Sequence, residues 1–104
     1  MTAESKQYLI EYSRDAVENL RSFNAREQRI VLDAVDRGLA HEPASETRNR
    51  KPMRPNPLAP WELRVGNLRV YYDVREEPER TVIILAIGRK RRNRVQIGKE
   101  VWEL

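Results

Sequence analysis

At 104 residues the chain is long enough for one modest hydrophobic core and too short for two. Twenty lysines and arginines against sixteen acidic residues leave a net charge of +4 and a pI near 9.8, a balance that favours polyanionic partners. Cysteine is absent and histidine occurs once, so a disulfide framework, a thiolate zinc site and a histidine-based nucleophilic triad are all excluded. No apolar run approaches a membrane span, and Met1 to Lys6 lacks a signal-peptide core. The expectation is a cytoplasmic protein with no membrane partner.

Gln7 to Tyr12 has the aromatic and branched residues of a first strand, with Tyr8 and Ile10 on one face and Leu9 on the other. Ser13 reads as the N-cap of a helix that carries Asp15 in its first turn and a stripe of Ala16, Val17 and Leu20, ending at Arg21. Ser22-Phe23-Asn24 breaks that pattern. Asn24, with Glu27 three residues on, resembles a capping box opening a second helix. Its predicted buried face is Ile30, Val31, Ala34, Val35 and Leu39, with Gly38 beside them, while Arg26, Arg29, Asp33, Asp36 and Arg37 face outward. The lone His41 falls at the helix end, a position for a capping or dipole partner.

Between His41 and Pro60 the periodicity vanishes. Five of the six prolines (Pro43, Pro52, Pro55, Pro57 and Pro60) lie here and exclude a helix or a central strand. The stretch reads as a long irregular loop carrying Arg48, Arg50, Lys51 and Arg54. Trp61 to Asp73 then alternates cleanly on either side of a Gly66-Asn67 turn, which fixes a hairpin register of Val65 with Leu68, Arg64 with Arg69, Leu63 with Val70 and Glu62 with Tyr71. Two arginines thus stand opposite each other, an arrangement that needs a carboxylate or a bound anion to be tolerated.

Glu76 to Arg80 is an acidic turn, and Thr81 to Ile87 is apolar on both faces, as a central strand requires. It runs through Gly88 into Arg89, Lys90, Arg91, Arg92 and Arg94. Val95 to Gly98 reads as a last short strand or turn, and Val101, Trp102 and Leu104 as a tail that packs back. The order β-α-α-β-β-β predicts an α+β fold: an N-terminal helical hairpin on one face of a mainly antiparallel, four-stranded sheet, in a single domain over 1–104. The other face, bearing Glu62, Arg64, Arg69 and Tyr71, is expected to be open. Trp61 and Tyr72 fall to the core, which leaves Tyr71 as the aromatic to stack a base.

The Leu63-Arg64 pair before the Gly66 turn, Arg69-Val70, Tyr72 and Val74 after it, and Gly88-Arg89-Lys90-Arg91 at the end of an apolar strand resemble the RelE/ParE toxin superfamily. Within it they are most similar to the RelE-type mRNA interferases, cytotoxic translational repressors of type II toxin–antitoxin modules. The resemblance covers about Tyr8 to Ile97. It implies a metal-independent, cofactor-free, ribosome-dependent endoribonuclease in which a 2′-hydroxyl attacks the adjacent phosphate. The catalytic residues it implies are Arg64, Arg69 and Lys90, with Arg89 and Glu62 beside them, and the RNA contacts are Arg48, Arg50, Lys51, Arg54, Tyr71, Arg91, Arg92 and Arg94. The chain departs from the pattern where a lysine of the family falls on Glu62, a late tyrosine on Gln96 and a frequent histidine on Arg89. Glu62 and Lys90 are then the candidates for proton transfer. The implied partners are a cognate antitoxin, the ribosome with its mRNA and rRNA, and promoter DNA only through the antitoxin. Two other readings are a ParE-like DNA gyrase inhibitor and a catalytically degenerate homologue that binds RNA or a partner.

Overall fold

The computed structural model describes residues 7–104. Strand β1 (Leu9–Tyr12) leads into helices α1 (Arg14–Arg21) and α2 (Ala25–Leu39). There follow β2 (Arg50–Pro52), β3 (Trp61–Val65), β4 (Leu68–Arg75), β5 (Thr81–Arg91), β6 (Arg94–Ile97) and β7 (Glu100–Trp102). The sheet has seven strands rather than the four expected, in the order β2-β3-β4-β5-β6-β7, with β1 added in parallel to β5. All other pairings are antiparallel. No helix among the described residues is long and apolar enough to cross a membrane.

Both helix starts follow from their caps. The Ser13 hydroxyl accepts from the Ala16 N–H at 3.1 Å, and Asn24 Oδ1 accepts from the Glu27 N–H at 2.8 Å. Val31, Val35 and Leu39 of α2 are buried with Ala16 of α1 against Leu63, Leu68, Val70, Tyr72, Val82, Ile84 and Ile87 of the sheet. Ile30, expected in that core, is 42% exposed, because the sheet takes up only the narrower stripe centred on Val31 and Val35. The hairpin register of β3 and β4 is the one that alternation predicts, with Gly66 at φ +61° in the turn.

Strand β5 sets the geometry of everything after it. One edge is taken by β4 along its length; β1 takes Thr81–Ile84 on the other edge, and β6 takes Arg89–Arg91. Between those two neighbours α1 fills in. Ser13 Oγ donates to the Leu85 carbonyl at 3.1 Å, and the Ile87 N–H donates to Asn19 Oδ1 at 3.0 Å. These side chains satisfy backbone groups that the strand ladder leaves over. The register slips between Tyr71 and Tyr72, a bulge that makes Leu85 the extra residue. Ile84 and Ile87 therefore both face the helices.

The stretch between α2 and β3 is not irregular throughout. It contains the edge strand β2, and it is tied down at several points: Tyr72 Oη donates to the carbonyl of the buried Pro43 at 2.7 Å, and the Met53 N–H donates to the Pro60 carbonyl at 2.8 Å. Asn56 closes the turn after β2, accepting from the Leu58 and Ala59 N–H groups and donating to the Arg54 and Ala59 carbonyls. This strap and the β6–β7 hairpin cover the second face of the sheet. Ala59, Tyr71, Ala86, Val95 and Ile97 are buried there, with Met53, Leu58 and Trp102 packed around them.

Gly88 makes that covering possible. A Cβ at this position would lie 2.6 Å from the Gln96 carbonyl oxygen and 2.8 Å from side-chain carbons of Val95 and Ile97. Gly88→Ala should therefore cost about 2–3 kcal/mol in urea-monitored stability, since backbone and two buried side chains must all move. Gly66→Ala, where the space is open and only the positive φ opposes a side chain, should cost about 1 kcal/mol.

Burial raises the phenol pKa values of Tyr71, Tyr72 and Tyr12, the last to about 12, from the ordinary 10.0. A raised folded-state value means stability that is whole below pH 10 and lost as the unfolded chain's tyrosines ionise above it. In an alkaline titration, phenolate absorbance from these residues should appear together with the loss of far-UV circular dichroism, not before it.

Candidate functional site

The second face of the sheet holds a cavity of about 600 Å³, walled on one side by the strap from Lys51 to Pro57 and on the other by Trp102 and the residues after it. Its floor is formed by Glu62 and Arg64 of β3 and Lys90 of β5. Four cations (Lys51, Arg54, Arg64 and Lys90) share it with two carboxylates, Glu62 and Glu103. That volume falls within the roughly 300–1,000 Å³ usual for small-ligand sites. Among the described residues no ion pair engages Arg54 or Lys90. No group of residues with the makings of a metal site occurs among them either.

The opposed arginines are neutralised by Glu62. Its Oε1 accepts from Arg64 Nε at 3.1 Å, and its Oε2 lies 3.9 Å from Arg69 Nε. The two partners differ in role. Arg69 is 12% exposed, and its Nη1 donates to the Gly66 and Leu68 carbonyls at 2.8 and 2.9 Å, so it braces the hairpin turn. Arg64 is 48% exposed and opens onto the cavity. Beside Glu62 stands the Tyr71 hydroxyl, which is buried without a hydrogen-bond partner; burial, then the Glu62 carboxylate, hold it in its neutral form. Tyr71 is fully buried and does not stand on an open face. It cannot stack a base from there.

Arg89 is also placed apart from the cavity. With Ile84 and Ile87 facing the helices, Arg89 follows them and pairs with Glu27 at 3.0 Å, its guanidinium 5.4 Å from the Phe23 ring centre. Lys90 takes the cavity side instead. Of the basic residues expected to meet RNA, Lys51 and Arg54 line the cavity, Lys51 also reaching Glu46 at 3.5 Å. Arg50 caps the end of α2, donating to the Gly38 carbonyl at 2.7 Å and to the Ser45 carbonyl at 2.9 Å. Arg48, Arg91, Arg92 and Arg94 are exposed, Arg92 with φ +60° in the β5–β6 turn and Arg94 3.4 Å from Glu103. The cavity wall formed by Met53 and the strap prolines was not expected; prolines signal an absence of regular structure and carry no information about what they enclose.

A family model for the ParE toxin of the type II toxin–antitoxin system parDE matches residues 10–94. The chain belongs to that family. Its fold is similar to a chain in the crystal structure of the toxin–antitoxin complex RelBE2 from Mycobacterium tuberculosis, with a TM-score of 0.69 and 25% sequence identity. That match covers 81% of this toxin and 99% of the other chain, and with the family model it places the toxin in the RelE/ParE superfamily. No curated protein sequence matches. The family model stops at the start of β6, so Trp102 lies on a hairpin that the family match does not span.

The different surroundings of the two neighbours on β5 give opposite expectations. Arg89→Ala should lower the toxin's stability by about 1–2 kcal/mol, through the partly buried pair with Glu27 and the contact with Phe23. Lys90→Ala should leave stability within about 0.5 kcal/mol, being a substitution at a side chain with no ion pair. Thermal or urea unfolding of the two variants side by side checks this.

Proposed function

We propose that this toxin cleaves mRNA on the ribosome and so blocks translation, its cavity holding the scissile phosphodiester. The observation that carries this reading is the floor of the cavity, where Arg64 and Glu62 of β3 and Lys90 of β5 line one space, with Lys51 and Arg54, the latter unpaired among the described residues, on its wall. Arginine's planar fork can hold two phosphate oxygens at once, and a lysine supplies both a point charge and a proton. In the proposed step the ribose 2′-oxygen attacks its own 3′ phosphorus while Glu62 takes the 2′ proton. The phosphorus–5′-oxygen bond breaks, Lys90 protonates the leaving oxygen, and the products are a 2′,3′-cyclic phosphate and a 5′-hydroxyl. Arg64 stabilises the negative charge that gathers on the non-bridging oxygens. Arg69 acts through Glu62 and the hairpin turn as a positioning residue. A cognate antitoxin is the expected partner, in keeping with the family and with the complex in which the similar chain occurs.

A second reading is supported by the family description and by the engagement of Arg69 and Arg89 in contacts that hold the fold: a ParE-like inhibitor of DNA gyrase. One experiment separates the two. Primer extension on a defined mRNA in a purified translation system should show cuts only when ribosomes are present. Arg64→Ala and Lys90→Ala should each reduce cutting about 100-fold or more, as expected for removal of one transition-state charge partner. Absence of cuts from the folded toxin, with inhibition of gyrase supercoiling instead, would replace the first reading with the second.

A further inference from the structure

The aromatic that reaches the cavity is Trp102. Among the cavity-lining residues it is the one aromatic, and it stands across from Met53 and the strap prolines, with Arg64 and Lys90 on the floor between. The other aromatics of this region are committed elsewhere: Trp61 stacks on Tyr72 with ring centres 6.1 Å apart, and Tyr71 is fully buried. Trp102 is only partly buried, packing at the margin of Tyr71, Ala86, Val95 and Ile97, and its indole Nε1 has no hydrogen-bond acceptor. Gly88, by leaving room for β6 to fold over the sheet, lets the β6–β7 hairpin bring the indole to this position.

We infer that Trp102, Arg64 and Lys90 form a nucleotide subsite for single-stranded RNA, the base lying against the indole and its phosphate on the two cations. The inference rests on the reading of the cavity as a phosphodiester site and names what that site selects. An indole face stacks on any base, provided the base is free of its own helical neighbours, so duplex RNA is disfavoured by geometry. The cations supply attraction that does not distinguish sequence and that weakens with salt. Charge favours a nucleic acid over a protein segment as occupant, since four cations face two carboxylates. Trp102 lies on the C-terminal hairpin, beyond the span of the family match.

The test measures binding apart from cleavage, without ribosomes. Fluorescence anisotropy of a labelled RNA hexamer is compared with that of an abasic hexamer carrying the same phosphates, both titrated with the unmodified toxin. The base-bearing strand should bind about tenfold more tightly. Trp102→Leu should remove that difference, Trp102→Phe should keep most of it, and Arg64→Ala should weaken both strands alike. Equal affinity for the two hexamers, or no RNA binding at low salt, overturns the inference. The abasic comparison uses the unmodified chain and so holds even if Trp102→Leu fails to fold. A base-dependent affinity without ribosome-dependent cutting would keep the subsite and discard the nuclease, whereas cutting with base-independent affinity would do the reverse.

Discussion

Strand β5 has three neighbours and two edges, and the rest of the molecule is arranged around that shortage. β4 occupies one edge, β1 and β6 divide the other, and the interval between them is closed by Ser13, the N-cap of α1, and by Asn19 within it. The bulge at Leu85 belongs to the same interval. It reverses the parity of the strand, so that Arg89 follows Ile84 and Ile87 to the helices and Lys90 turns to the opposite face. Without that one extra residue the two cations would exchange places. The chemistry available to the cavity is thus decided by a backbone irregularity several residues upstream of it.

The cavity's electrostatics follow from a second constraint, the facing arginines of the β3–β4 hairpin. Placing Glu62 next but one to Arg64 and diagonal to Arg69 neutralises the repulsion, and it does so asymmetrically. Arg69 spends its donors on the Gly66 and Leu68 carbonyls, and Arg64 remains half in solvent. One of the pair has become part of the scaffold and the other part of the site. A charge count cannot make this division, because both residues contribute equally to it.

Local rules made the hairpin, both helix caps and the apolar central strand legible in the sequence, since a period of two, a two-residue glycine turn and an Asn or Ser cap act within a few residues. What was not legible came from a distance. Alternation places Tyr71 on the second face of the sheet, but only the strap at Met53–Ala59 and the β6–β7 hairpin decide that this face is covered. The three-residue strand β2 ends on Pro52 and is too short to show a period. The bulge depends on how β4 and β5 pair, and no residue in β5 announces it. Trp102 was readable as a side chain that packs back, yet its place on a cavity wall required Gly88, whose absent side chain shows its value only against the crossing of β6.

The parallel pairing of β1 with β5 has a consequence for how the toxin comes into being. Leu9 to Tyr12 leave the ribosome early, but their partners, Thr81 to Ile84, are made only after the helices and the β3–β4 hairpin. Such distant pairings slow folding, because a long stretch of chain must be closed before any of them is rewarded. Part of the floor and one wall of the cavity wait on the same event, since Lys90 belongs to β5 and Trp102 follows it. A nascent chain that has already built its helices therefore still lacks the cavity, and the site is assembled last.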